Sequence, residues 1–134
     1  MNTCTQQIVV VHGIYINPRH ELLLVKKGDL WILPGGKLKP HETDEQCLKR
    51  GVKEELPFVR VTKVGDIYGV FIGTTPHSHR EIKEIVYQVS LRGDIILNRN
   101  LEARYVPFTG LVDVQLSELT WRVVSALIKS GYYG

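Results

Sequence analysis

At 134 residues, with 43% hydrophobic and 23% charged residues, the chain has the make-up of one globular domain that can bury a core without disulfide or metal staples. Its formal net charge of +3 attracts polyphosphates weakly and falls well short of a nucleic-acid-binding signature. No apolar run is long enough to span a bilayer, so a membrane partner is not expected.

The opening MNTCTQQ has neither a basic region nor an apolar signal core, which predicts a cytoplasmic protein. Cys4 and Cys47 belong to no CxxC or Cys/His cluster and read as reduced thiols. Residues 7–15 (QIVVVHGIY) are rich in β-branched side chains and predict a buried strand. His12, set among valines there, reads as a core or cleft residue rather than a catalyst. Asn17-Pro18 punctuates the chain, and residues 21–26 (ELLLVK) predict a second strand, paired with the first as a hairpin. Gly28-Asp29 turns into a short strand at residues 31–33, which Pro34-Gly35-Gly36 ends.

A helix is predicted from Thr43 to Leu56. Thr43 and Gln46 have the spacing of a capping box, and Pro57 pushes Leu56 out of helical geometry. Cys47 falls inside this helix as a small buried hydrophobe. Residues 59–63 and 67–73 predict two strands of a hairpin turning at Gly65-Asp66. The segment GTTPHSHRE (73–81) reads as a loop, followed by strands at 84–91 and 103–107. A last helix at 117–129 places Leu119, Val123, Val124, Leu127 and Ile128 on one stripe and stops at Gly131. Two helices among six or seven strands, with no repeat or linker, give an α+β class and a single domain over residues 1–134.

Glu54 and Glu55 project from the last turn of the first helix, close to the Gly35-Gly36 turn. Adjacent carboxylates beside a bare backbone turn make a hard oxygen-donor cluster that suits Mg²⁺ or Mn²⁺. Taken singly these features are ordinary: a Glu-Glu pair is usually a solvated face, Gly-Gly a turn, and Arg50 four residues before Glu54 a surface ion pair of little worth. Their joint register is what carries information. No GxxxxGK[ST], GxGxxG or GxSxG motif competes with it.

Gly36, five residues, Glu42, seven residues, Arg50, then Val52, Glu54-Glu55 and Phe58 resembles the Nudix box of MutT-type hydrolases. The chain departs from that box at Gly51, where the family has glutamate, and at Pro57, where it has glycine. The resemblance implies a mixed β-sheet sandwiched between α-helices over nearly the whole chain. It also implies hydrolysis of the pyrophosphate linkage of a nucleoside diphosphate derivative with Mg²⁺ or Mn²⁺. By analogy Glu54, Glu55 and a carbonyl of Gly35 or Gly36 hold the metal, and Gly35, Gly36 and Lys37 meet the substrate. Arg50 orients a carboxylate, and Glu42 adds a further one, mainly structural or in the outer shell of the metal. Glycine at position 51 removes a carboxylate that binds metal or activates water in many members, and Glu102 is the first choice as its replacement beside Arg50 and Glu54. His77, His79, Glu81 and Glu84, in or beside the 73–81 loop, read as surface decoration. Trp31, Tyr68 and Phe71 have core packing as the main role of at least two, with base stacking as the other. The implied partner is a small-molecule nucleotide, with no stable nucleic-acid complex, and a homodimer is left open. The alternative is a nucleotide-binding module of the same fold with impaired catalysis.

Overall fold

The β-branched run near the N-terminus forms β1 (Ile8–Ile14), and the leucine run that follows forms β2 (Glu21–Lys27). The computed structural model describes residues 7–75, 79–95 and 103–133. After β2 come β3 (Leu30–Ile32), β4 (Gly35–Lys37), α1 (Asp44–Glu55), β5 (Val59–Thr74), β6 (Glu81–Gly93), β7 (Ala103–Pro107), a 3₁₀ turn (Phe108–Asp113) and α2 (Glu118–Lys129). A four-stranded mixed sheet has the order β4-β1-β6-β5, with β1 parallel to β6 and antiparallel to β4. A three-stranded antiparallel sheet has the order β3-β2-β7.

The two helices cover opposite faces, and β2 shows why its sequence is an unbroken apolar run. Leu22 and Leu24 pack with Val123, Val124 and Leu127 of α2, whereas Leu23 and Val25 pack with Cys47, Leu48 and Val52 of α1. A strand buried on both faces has no polar side to alternate with. Trp31 belongs to the α2-side core, and Tyr68 and Phe71 pack against it, so all three aromatic rings serve packing. Tyr133 closes the same core and donates its hydroxyl to the Val106 carbonyl at 2.6 Å.

Two expectations of strand pairing are corrected. β1 and β2 do not form a hairpin along their length; they touch only at the Ile16–Leu22 bridge and the Leu23-to-Tyr15 backbone bond. Both edges of β1 are taken by β4 and β6, and both edges of β2 by β3 and β7. Nor does the chain turn at Gly65-Asp66. β5 is one 16-residue strand that runs against β6, and these two residues fall in a register break between Val64 and Ile67. A long neighbouring strand supplies partners on both sides of the interruption, so it is absorbed as a bulge. β6 accordingly begins at Glu81, three residues earlier than expected.

The helix ends follow the sequence closely. Thr43 caps α1 with a complete capping box, and Leu56 follows its last residue. Ser117 caps α2, whose buried stripe is Thr120, Val123, Val124 and Leu127, with Leu119 and Ile128 half-buried beside it. Among the described residues no helix is long and apolar enough to cross a membrane.

Candidate active site

The site is built where the C-terminal half of α1 lies on β4; Gly35 and Gly36, expected as a turn, are strand residues paired with β1, and glycines set the distance. Gly35 has φ +150°, and a Cβ there would stand 2.1 Å from the Val11 carbonyl oxygen. A Cβ on Gly51 would stand 2.3 Å from the carbonyl carbon of Gly35 and 2.5 Å from the amide nitrogen of Gly36. The helix therefore rests backbone against backbone on β4. This is the physical role of the glycine that departs from the box: no side chain fits between the two segments. Its intrinsic cost in a helix, about 1 kcal/mol against alanine, accompanies a contact that only glycine permits.

That contact brings the acidic end of α1 to β4. Glu55 Oε1 accepts the Gly35 amide at 2.9 Å, and its side chain is only 10% exposed. Its other oxygen, Oε2, is buried without a hydrogen-bond partner, the nearest cation being Lys27 Nζ at 3.8 Å. Burial pushes the Glu55 carboxyl above its ordinary pKa, against the pull of the Gly35 amide, Lys27 and His12. Glu54, beside it, is exposed and accepts from Arg50 Nη1 at 2.8 Å.

Arg50 is more than half of a surface pair. Its Nε and Nη2 donate to the two oxygens of Glu42 at 2.7 and 3.0 Å, and Nη2 also donates to the Lys37 carbonyl at 2.7 Å. One guanidinium thus ties the loop before α1, strand β4 and the end of α1 together, the planar fork that lysine could not supply. Arg50 foremost, then the Lys39 amide, hold the Glu42 carboxyl down to about 2. At the other end of the helix Tyr87 donates its hydroxyl to Asp44 at 2.7 Å and anchors α1 to β6.

Arg50, Glu54 and Glu55 face Gly35, Gly36 and Lys37 across one cavity of about 630 Å³, with Lys27 of β2 in its wall. The structure therefore brings together every residue the sequence singled out for the site except Glu102, which with His77 lies outside the described residues. Two details refine the expectation. The Gly36 carbonyl accepts from the Cys47 thiol at 3.4 Å, and burial pushes that thiol up to about 11, so it stays protonated as a donor. Lys37 contributes its carbonyl to Arg50 as well as lining the cavity.

A second cavity of about 390 Å³ shares Lys27 with the first and is lined by His12, Glu84, Ile32, Thr74, Leu119 and Thr120 among others. Here the reading of Glu84 as surface decoration is corrected. It is 1% exposed, on the β6 face that carries it inward two residues from Val86, the partner of His12 in the parallel β1–β6 pairing. Its Oε2 accepts from His12 Nδ1. The parallel pairing of β6 with β1 is what the sequence did not reveal. His79 also lines this cavity, while Glu81 stays exposed and bonds Gln7. Lys27 carries no distinguishing signal in the sequence: it is the last residue of a strand, before a turn.

Among the described residues no group of three or more His, Cys, Asp or Glu side chains gathers at one point. Two carboxylates, one with an unpartnered buried oxygen, beside backbone carbonyls still fit a hard divalent cation. Mg²⁺ is commonly held by one or two carboxylates, with water and substrate phosphate completing its shell.

The NUDIX domain model matches residues 6–126. No curated protein matches the chain. Solved structures are similar throughout. A MutT described from Aliivibrio salmonicida and Vibrio cholerae is 24% identical with a TM-score of 0.74, over 93% of this chain and 99% of that one. A MutT NUDIX hydrolase from Burkholderia pseudomallei is 18% identical with a TM-score of 0.73, over 90% and 97%. A UDP-X diphosphatase is 18% identical with a TM-score of 0.75, over 99% of this chain and 68% of that one.

Two measurements check this geometry. Helix propensity alone makes Gly51→Ala stabilising by about 1 kcal/mol, whereas the backbone contact makes it destabilising by about 1–3 kcal/mol through overpacking. Urea denaturation gives the sign, and Gly51→Glu meets the same backbone, so it does not restore a family-like site. Glu42 has a folded pKa below its unfolded value near 4.5, so its contribution is present above that pH and is lost as pH falls toward about 2. Circular dichroism across that window should show a flatter acid limb for Glu42→Gln than for the parent; identical limbs contradict the Arg50–Glu42 assignment.

Proposed function

Because the chain belongs to the NUDIX domain family, we propose that it is a pyrophosphohydrolase that cleaves the diphosphate linkage of a nucleotide, or a similar nucleoside diphosphate derivative, with Mg²⁺ or Mn²⁺. The observation that carries this reading is the buried Glu55 carboxylate in the wall of a cavity that also presents Glu54: the Gly35 amide holds Oε1, while Oε2 has no hydrogen bond and only Lys27 at 3.8 Å. A carboxylate kept this way is costly unless a cation completes it. MutT and UDP-X diphosphatase among the structural neighbours agree with this class of substrate.

Glu54, Glu55 and a carbonyl of Gly35 or Gly36 would hold the cation, which supplies charge neutralisation on the phosphate oxygens and a more acidic water. The chain's own residues do the positioning. The bare sides of Gly35 and Gly36 are filled by Val11 and by Gly51 with Arg50, so these glycines set the packing, and Lys27, common to both cavities, stands where a phosphate chain passes from one to the other. The nucleoside then occupies the cavity beside His12 and Glu84. Arg50 keeps Glu54 turned to the site and locks the approach loop through Glu42. Because position 51 is filled by backbone, the proton acceptor for water comes from elsewhere, and Glu102 remains the proposed base.

One observation favours a second reading. The contact at Gly51 excludes the carboxylate that the box normally places there, and a nucleotide-binding module would keep the cavities without turnover.

Phosphate or pyrophosphate release from a nucleotide panel, with a thermal shift on adding Mn²⁺, separates the readings. The parent should turn over at least one nucleotide and gain stability with Mn²⁺. Glu55→Gln should weaken metal affinity by at least about 10-fold, the loss seen even for outer-shell partners. Nucleotide binding without product points to the module, and neither binding nor release contradicts both.

A further inference from the structure

We propose that Glu84 selects the base, by accepting a hydrogen bond from an exocyclic amino group of the nucleotide. This rests on the nucleotide reading above and extends it to the identity of the base.

Glu84 is 1% exposed and lies in the wall of the second cavity. One carboxylate oxygen accepts from His12 Nδ1, and the other, Oε1, has no partner. Leaving a buried carboxylate oxygen unmet is unfavourable, and a strand interior offers apolar side chains at lower cost. Val10, Ile32, Ile82 and Leu119, in the same wall, follow that rule. The bond to His12 fixes the carboxylate through Oε2 and leaves Oε1 as the acceptor for a donor that enters the cavity. A volume of about 390 Å³ is in the range of pockets that enclose small molecules.

The chemistry of the match is one-sided. A carboxylate accepts hydrogen bonds and donates none when ionised, so it welcomes an N–H edge and repels a carbonyl oxygen placed at the same point. Amino-bearing bases therefore satisfy Glu84. A base with a carbonyl or a bare C–H there leaves the buried oxygen unmet, and such mismatches are rejected more strongly than a missing methylene.

The test uses the full chain with Mn²⁺ and three matched pairs: cytidine against uridine triphosphate, adenosine against purine-riboside triphosphate, and guanosine against inosine triphosphate. Both kcat/KM and, with non-hydrolysable analogues, Kd are measured. In at least one pair the amino-bearing member should be favoured by about 10-fold or more, the value of a well-formed base contact. Glu84→Gln, which can donate as well as accept, should bring that ratio close to one. The double variant His12→Leu with Glu84→Met replaces both partners by apolar side chains and should erase it too, which keeps the test open if the single variant folds poorly. Equal use of all pair members by the parent, or a preference that survives both changes, overturns the assignment of Glu84 while leaving the hydrolase reading intact. Failure of the parent to bind or cleave any of the six overturns both.

Discussion

The approach of α1 to β4, backbone on backbone at Gly51 and Gly35-Gly36, sets the geometry on which the rest of the site depends. A helix that stood one side chain further away would carry Glu55 out of reach of the Gly35 amide and move Glu54 with it. Around this contact the other restraints are arranged in sequence order. The capping box starts the helix at Thr43, Tyr87 fixes its first turn to β6, and Arg50 ties its last turns to Glu42 and Lys37. Each bond is ordinary in strength, but together they leave the acidic end of α1 a single position.

Within that frame two carboxylates are buried for reasons that folding alone does not supply. Glu55 and Glu84 each have one oxygen held and one without a hydrogen bond, and they stand in the walls of two cavities that share Lys27. A stability-driven sequence would place apolar residues at both positions, as β2 does at Leu22 to Val25. Buried acceptors that face cavities instead suggest ligands that bring a cation to one and a hydrogen-bond donor to the other. This division of labour is consistent with a phosphate chain at α1 and a base at β6.

How much of this could be read from residues alone depended on the range of each interaction. The helix limits were legible because their signals are local: Thr43 with Gln46 caps the first helix, and the apolar stripe ending before Gly131 marks the second. The group of Gly35, Gly36, Arg50, Glu54 and Glu55 was legible because β4 and α1 are consecutive elements in the chain. Pairing between distant strands was not. The bulge at Gly65-Asp66 has the local chemistry of a turn, and only the presence of a long β6 decides otherwise. Glu84 was missed for the same reason, since its burial depends on parallel pairing with β1 across more than seventy residues. Gly51 looked like a lost carboxylate, and the meaning of a missing side chain appears only once its neighbour in space is known.

The most direct measurement is a crystal structure of the chain with Mn²⁺ and a non-hydrolysable nucleoside triphosphate, recorded at the manganese absorption edge. An anomalous peak coordinated by Glu54 or Glu55 and by a phosphate oxygen is expected, with the phosphate chain passing Lys27 and the base lodged beside Glu84. Manganese bound elsewhere, or a nucleotide whose phosphates lie away from Gly35 and Gly36, would contradict this arrangement.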